Sequence, residues 1–460
     1  MRLWLRDVAL ALGVPLERED DRLVTSVESD SRSVTAGALF VCIRGERADG
    51  HDFAASAARA GAVAVLAERA LPDAGVPVLV VEDAVQALGR IAALWRGRTS
   101  ARVVGITGTA GKTTVKEVLA QVLEKRGRTA RNALNLNNQI GMPSSMLRAS
   151  GDEAFWVFEA GISHEGDMDE LAPVLRPDVA LILNVGPGHT EGLGDRGVAW
   201  HKARLLRGLA PQGRALVCAD YPDLVREALA CQREAAATAP FRLDFFSAQD
   251  EQAACHAACV GDGIYAVTAW GARFEVEAPF CGAYGAENVA AVVAAATVLG
   301  LTPAEIQAGL KQVQLPRQRF ACITAGNWQV IDDTYNANPL SMSRMVAAAR
   351  EKAGHGPLYV MLGEMRELGA CAAEEHRGLG RLLAQVAPEA IFWKGGCLDA
   401  VRQGLREGGY AGDAHPVADA GEFAACATTF LHRGGVLLCK GSRSNRLEDM
   451  VSAFLNLLEK

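Results

Sequence analysis

No apolar run in these 460 residues is long enough to cross a bilayer: the longest, Val289 to Leu301, is alanine-rich and falls well short of the roughly 20 residues required. The amino terminus, MRLWLRDVALALG, has no uninterrupted apolar core and no small-residue cleavage site, because arginine and aspartate cut its apolar positions at helical spacing. A cytoplasmic protein without membrane insertion is expected. A basic block is missing too, and the net charge is −7, so nothing stands out to neutralise phosphates along a nucleic-acid strand. No nucleic-acid partner is expected, whereas small anionic substrates could still be held at local sites. The 11 cysteines are scattered singly through apolar segments such as ALVCAD and VLLCKG and read as free buried thiols. Cys255-His256-Ala257-Ala258-Cys259 has ligand-type residues but no second pair nearby to complete a metal site. Internal repeats and low-complexity tracts are absent.

What is present is an alternation of strands and helices over a length that suggests about three domains. Residues 1–99 mix short strands (ALFVCIRG, GAVAVLAE, VPVLVVED) with helical stretches such as DFAASAARA, a small α/β unit. Residues 100–313 alternate nearly continuous apolar strands (ARVVGIT, AFWVFEAG, DVALILNVG, RALVCAD) with helices, the pattern of a parallel sheet covered on both faces. A second alternation over 314–460 (WQVIDD, PLYVMLGE, AIFWKGG, GGVLLCKG) reads as a Rossmann-like unit, but without GxGxxG it implies no dinucleotide. The fold class is α/β in three domains.

GITGTAGKTTVKEVLAQVL carries the chemistry. Val115, Val118, Leu119, Val122 and Leu123 recur at helical spacing, which starts a helix near Lys112 and places the loop Gly108, Thr109, Ala110, Gly111 at its amino terminus. Unpaired N–H groups and the helix dipole favour phosphate oxygens there, Gly108 and Gly111 let the backbone approach, Lys112 reaches the β- and γ-phosphates, and the Thr113 hydroxyl suits magnesium. Ile106 stands where the generic pattern has its first glycine. A glycine-rich turn with an incidental lysine would share the loop, but strand, loop and helix together favour ATP or GTP. At neighbouring strand ends stand Glu159, Asn184 and His189, with Lys202 beyond; Glu159 and Thr113 could supply oxygen ligands to a hard cation. Spacing alone leaves His189 a surface-loop residue and Lys202 part of a solvated helix face.

The segments GTAGKTT, NLNNQIGMP, DDTYNANPLSM, LGEMRELG and KGSRSNRLE together resemble the Mur ligase family, and DSRSVTAGALFVCIRGERADGHDF is similar to its uridine-nucleotide-binding domain. The matching segments run in family order from about residue 30 to 450. TYNANPLSM is similar to the members that join D-alanyl-D-alanine to UDP-MurNAc-tripeptide, and the DNPR-type motif of diaminopimelate-adding members is absent. The resemblance implies three domains: a UDP-binding one, a central phosphate-loop one for ATP, and a carboxy-terminal one that brings the dipeptide. It places Gly108 to Thr114 on the ATP phosphates, and Thr113 and Glu159 on one magnesium ion. His189 would help to bind a second ion, and Lys202 matches a lysine carbamylated by carbon dioxide into an anionic metal ligand. Asn288 would lie near adenine, and Arg319, Asp333, Tyr335 and Asn336 would reach ATP from the third domain. Ser31 and Arg32 match the UDP site, and Asn138 the substrate-facing loop. A monomer is expected. Glu287, Ala291 and Gln318 depart from the usual histidine, asparagine and glycine.

The implied reaction transfers the γ-phosphoryl of ATP to a peptide carboxylate, and the dipeptide amine then displaces phosphate. Three rivals remain at this stage: a related ligase with another amine or acceptor, a nucleotide-driven switch or motor, and an inactive nucleotide-binding scaffold.

Overall fold

The computed structural model describes residues 1–16, 20–186, 192–280 and 282–459. Its first part carries a four-stranded parallel sheet, Ser26–Glu28, Ala38–Val41, Ala64–Ala67 and Val78–Val80, preceded by an antiparallel pair, Leu3–Trp4 with Leu23–Val24. Every residue of the two inner strands is buried, as expected for parallel strands covered on both faces. The helix Ala84–Arg96 begins where the Asp83 side chain accepts from the N–H groups of Val85 and Gln86 at 2.8 and 2.9 Å. Its buried stripe, Leu88, Ile91, Ala92 and Trp95, joins an apolar core shared with Met142, Met146 and Phe158 further along the chain. The Trp95 indole seals that joint by donating to the Ala149 carbonyl at 3.2 Å.

The largest sheet has nine strands. It is parallel from its edge, Thr129–Arg131, through Phe155–Glu159, Arg102–Thr107, Val179–Ile182, Arg214–Cys218 and Arg242–Ser247 to Cys255–Gly261. Two further strands, Ile264–Ala269 and Ala272–Glu277, continue it antiparallel. Along Arg102–Thr107, Val103 faces one apolar core while Val104 and Ile106 face the other. The helix Gly282–Val298 is buried on all sides from Val289 to Ala296, which identifies the longest apolar run as an interior helix. Because Phe155–Glu159, Arg102–Thr107 and Val179–Ile182 are adjacent and parallel, the loops leaving their carboxyl ends converge on one edge. That edge holds the phosphate loop. Cys255 and Cys259 lie on a sheet strand, and every described cysteine is free.

The third sheet has six strands in the order Ala321–Ala325, Trp328–Asp333, Gly435–Lys440, Leu358–Gly363, Ala390–Lys394, Ala414–Pro416; only the first pair is antiparallel. The helix Pro339–Ala353 follows Trp328–Asp333, with Pro339 in its first turn and a capping box between Asn338 and Ser341. On the way into this sheet Gln318 and Phe320 adopt φ of 61° and 57°. Position 318 thus has a backbone that glycine adopts freely and glutamine adopts at a cost of about 1 kcal/mol or more. The kink is held by two hydrogen bonds, Tyr335 N–H to the Gln318 carbonyl at 3.2 Å and Phe320 N–H to Asp333 Oδ1 at 3.1 Å. Between them the Arg319 guanidinium sits 3.8 Å over the Tyr335 ring.

Candidate active site

The helix Lys112–Leu123 starts at Gly111, whose φ of 81° turns the chain from the loop into the helix. The loop is clasped from behind by Asn184: its Oδ1 accepts from the Ala110 N–H at 2.8 Å and its Nδ2 donates to the Ala110 carbonyl at 3.1 Å. Thr109, Ala110, Gly111, Lys112, Thr113 and Thr114 form one wall of a cleft of about 430 Å³. Glu159 and Asn138 border it on the central domain, and Arg319, Asp333, Tyr335 and Asn336 close it from the third.

Lys112 and Lys202 both direct their ammonium groups at the Gly108 carbonyl, at 2.8 and 2.9 Å. Burial lowers the Lys112 pKa, Glu159 opposes that and Arg319 adds to it. Lys202 is 2% exposed, and burial followed by repulsion from Lys112 drops its pKa well below the ordinary lysine value. Structure thus corrects the solvated reading of Lys202, because the short helix Gly197–Ala203 packs that side chain inward behind the loop. It does not line the cleft.

Glu159 is fully buried. Asn137 Nδ2 donates to its Oε1 at 2.8 Å, whereas Oε2 has no hydrogen-bond partner. A buried carboxylate oxygen without a partner is costly unless a cation meets it, and Thr113 lines the same cleft. This oxygen donor set fits magnesium.

Asn288 is 1% exposed beside Gly111, where an added Cβ would approach its Oδ1 to 3.1 Å. The amide lies near enough to the Tyr284 hydroxyl to influence it, yet neither amide atom completes a hydrogen bond, and Asn288 stands behind the cleft rather than in its lining. Asn138 spends its Oδ1 on the Gly141 N–H at 2.8 Å, at the start of the helix Gly141–Arg148. Ser31 and Arg32 lie away from this cleft on the amino-terminal domain, where the exposed Arg32 forks onto Asp30 at 2.9 and 2.7 Å and its hydrogen bonds hold that carboxyl at a pKa of about 2. His189 lies outside the described residues.

Several residues belong to the site without having been singled out from sequence. Lys440 Nζ, 2% exposed, bridges Asp333 Oδ2 at 2.5 Å and the Asn336 carbonyl at 2.9 Å, fixing the third-domain wall. Asn338 Nδ2 donates to the Thr109 carbonyl at 3.1 Å, tying that wall to the phosphate loop. Both sit in segments, KGSRSNRLE and DDTYNANPLSM, that carry the family resemblance. Asn137 likewise falls in NLNNQIGMP.

Loop, carboxylate and closing third domain define a phosphate-loop nucleotide-binding protein whose site is completed across a domain boundary. The sequence matches the Mur ligase family catalytic domain over residues 23–96, the Mur ligase middle domain over 106–296 and the Mur ligase glutamate ligase domain over 318–443. It is 33% identical to the UDP-N-acetylmuramoyl-tripeptide--D-alanyl-D-alanine ligase of Escherichia coli across 94% of each chain. A crystal structure of MurF from Acinetobacter baumannii, 28% identical, superposes with a TM-score of 0.87 over 99% of each chain. The MurF ligase of Thermotoga maritima in complex with ADP, 27% identical, gives 0.84 over 95% of this chain and 98% of that one. The chain belongs to the Mur ligase family.

Proposed function

We propose that this protein joins D-alanyl-D-alanine to the terminal carboxylate of UDP-N-acetylmuramoyl-tripeptide with cleavage of ATP to ADP and inorganic phosphate, producing a pentapeptide precursor of peptidoglycan in the cytoplasm. The observation that carries the reading is the single cleft in which Lys112 and the loop face Arg319, Asp333, Tyr335 and Asn336 of another domain, bordered by Glu159 with its unpaired Oε2. The near full-length similarity to ligases of that name supports the choice of substrates.

Residues 1–99 bind the UDP-sugar through Ser31 and Arg32, residues 100–313 bind ATP, and residues 314–460 present the dipeptide. The tripeptide carboxylate, guided by the Asn138 loop, attacks the γ-phosphorus; the bond to the β,γ-bridging oxygen breaks and ADP leaves. The dipeptide amine then attacks the acyl phosphate carbon, loses a proton, and expels inorganic phosphate. Two anions must meet in the first step, so the work of the chain is positioning and charge compensation by Lys112, the loop N–H groups and Arg319. Magnesium, held by Thr113 and Glu159, would supply further charge neutralisation at the β- and γ-oxygens, and a carbamylated Lys202 and His189 would serve a second ion. Asn288, which the family resemblance puts near the adenine, backs Gly111 and does not line the cleft. The third domain excludes water that would hydrolyse the acyl phosphate.

A phosphate-release assay tests the reading. Release is expected only when ATP, the UDP-linked tripeptide and D-alanyl-D-alanine are all present. Release without the dipeptide would indicate a nucleotide-driven switch, and release with lysine or diaminopimelate on a UDP-linked dipeptide would indicate a sister ligase.

A further inference from the structure

Glu287 stands where the family usually has histidine, and the structure gives it a partner from another domain. It lies on the helix Gly282–Val298, immediately before Asn288, and is 5% exposed. Its Oε1 accepts from Asn184 Nδ2 at 2.8 Å and from one Arg344 Nη at 3.1 Å; its Oε2 accepts from the Tyr221 hydroxyl at 2.8 Å and from the other Arg344 Nη at 2.5 Å. Arg344 belongs to the third-domain helix Pro339–Ala353, so this bidentate ion pair crosses the domain boundary with both side chains largely shielded from water.

Two links run from the pair to the phosphate loop. Asn184, which donates to Glu287, is the same residue that clasps Ala110 by both its N–H and its carbonyl. The Arg344 guanidinium also lies 4.8 Å over the Tyr284 ring, and the Tyr284 hydroxyl borders Gly111, where an added Cβ would come within 3.3 Å of it. Further contacts seat the start of the same helix on the loop's surroundings: Asn338 donates to the Thr109 carbonyl, and a Cβ at Gly186 would meet Leu340 at 3.1 Å.

The energetics make such a pair sensitive to separation. Assembling two buried charges is close to neutral overall, but removing one partner strands the other without compensation. Burial alone would lower the Arg344 pKa, yet Glu287, with Tyr284 and Tyr221, outweighs burial and leaves it raised, so the guanidinium stays charged. Without the third-domain helix Glu287 keeps the neutral donors Asn184 and Tyr221 but loses the charge of Arg344.

We propose that Glu287 and Arg344 form an interdomain latch that holds the third domain over the nucleotide cleft and, through Asn184, fixes the phosphate loop at Ala110. Both are positioning residues for ATP. The inference rests on the reading of this cleft as an ATP site.

The test compares the parent chain with Glu287→Gln, Arg344→Met, the double variant and Arg344→Lys. Each is measured for ADP affinity by calorimetry, for the split between KM for ATP and kcat, and for shape by small-angle scattering with ADP present. Arg344→Met is expected to weaken ADP binding and raise KM for ATP by at least about tenfold, with a smaller change in kcat and a more extended scattering profile. Glu287→Gln should move the same quantities in the same direction, Arg344→Lys should recover part of the loss, and the double variant should lose less than the sum of the singles. Unchanged ADP affinity and scattering in both single variants, or additive losses in the double, would overturn the latch. If Arg344→Met does not fold, Glu287→Gln and Arg344→Lys carry the same comparison. A parent chain that binds ADP but forms no amide would sink the proposed reaction and leave the latch standing. A parent that fails to bind ADP would sink the ATP reading, with scattering still deciding whether the pair holds the domains together.

Discussion

Lys112→Ala is expected to reduce ATP-dependent phosphate release by about 10²–10³-fold, the loss typical of removing one group aimed at developing charge in a water-excluded site. Lys112 opens the phosphate-loop helix, so its ammonium adds to the loop N–H groups and the helix dipole at the point where the γ-phosphoryl would sit. Within the protein the ammonium bonds the Gly108 carbonyl, a contact that local movement can exchange for a phosphate oxygen. The helix should survive the substitution, because its apolar stripe, Val115, Val118, Leu119, Val122 and Leu123, stays buried against the sheet. A coupled phosphate assay beside a thermal melt checks both expectations. Full turnover by a folded Lys112→Ala protein would show that the loop does not hold the reacting phosphate.

Lys202→Ala should also impair the protein, by about 10–10²-fold if the side chain is a metal-supporting anion, and short-chain carboxylates such as formate or acetate should restore part of the rate. A neutral lysine amine that attacks carbon dioxide and gives up a proton becomes a carbamate, which reverses the sign of its charge and provides oxygen donors. The structure places the buried Lys202 beside the partly buried Lys112 on one carbonyl oxygen, an arrangement in which the two ammonium groups repel. Converting one of them to an anion would remove that repulsion. Rate measurements on the variant with and without added carboxylate read the outcome. An unaffected variant eliminates the role, and a loss that carboxylates do not repair returns Lys202 to holding the Gly108 carbonyl in place.

These two lysines also show how unevenly the site could be read from sequence. Lys112 was legible because strand, glycines and helical stripe agree within twenty consecutive residues, each level pointing to the same local structure. Lys202 was not, since a helix of seven residues is too short for periodicity to reveal which face is covered. The apolar strands were legible for a similar reason: WQVIDD coincides with Trp328–Asp333, and ALFVCIRG, AFWVFEAG and DVALILNVG each contain the observed strand. The antiparallel extension of the central sheet, from Cys255 to Glu277, is not legible in the sequence because it forms an outer part of the sheet, where Ala272–Glu277 buries only Val276 and Cys255–Gly261 is mostly partly exposed beyond Ala257. Turn signals at Gly263 and Gly271, both with positive φ, were its available signature.

Long-range polar pairing left the weakest trace. Glu287 and Arg344 are 57 positions apart and come from different domains, so no local pattern marks them as partners. The departure at 287 was visible as an unusual residue, but only the packing of Gly282–Val298 against Pro339–Ala353 shows what the carboxylate meets. Gln318 is the converse: the expectation of glycine there came from family resemblance, and the φ of 61° supplies the physical reason.

The measurement that bears most directly on the account is isotope transfer. With the tripeptide carboxylate labelled with oxygen-18, the inorganic phosphate released during amide formation should carry one labelled oxygen, because that oxygen is first phosphorylated and then expelled. Phosphate that emerges unlabelled while the amide forms would contradict phosphoryl transfer to the acid.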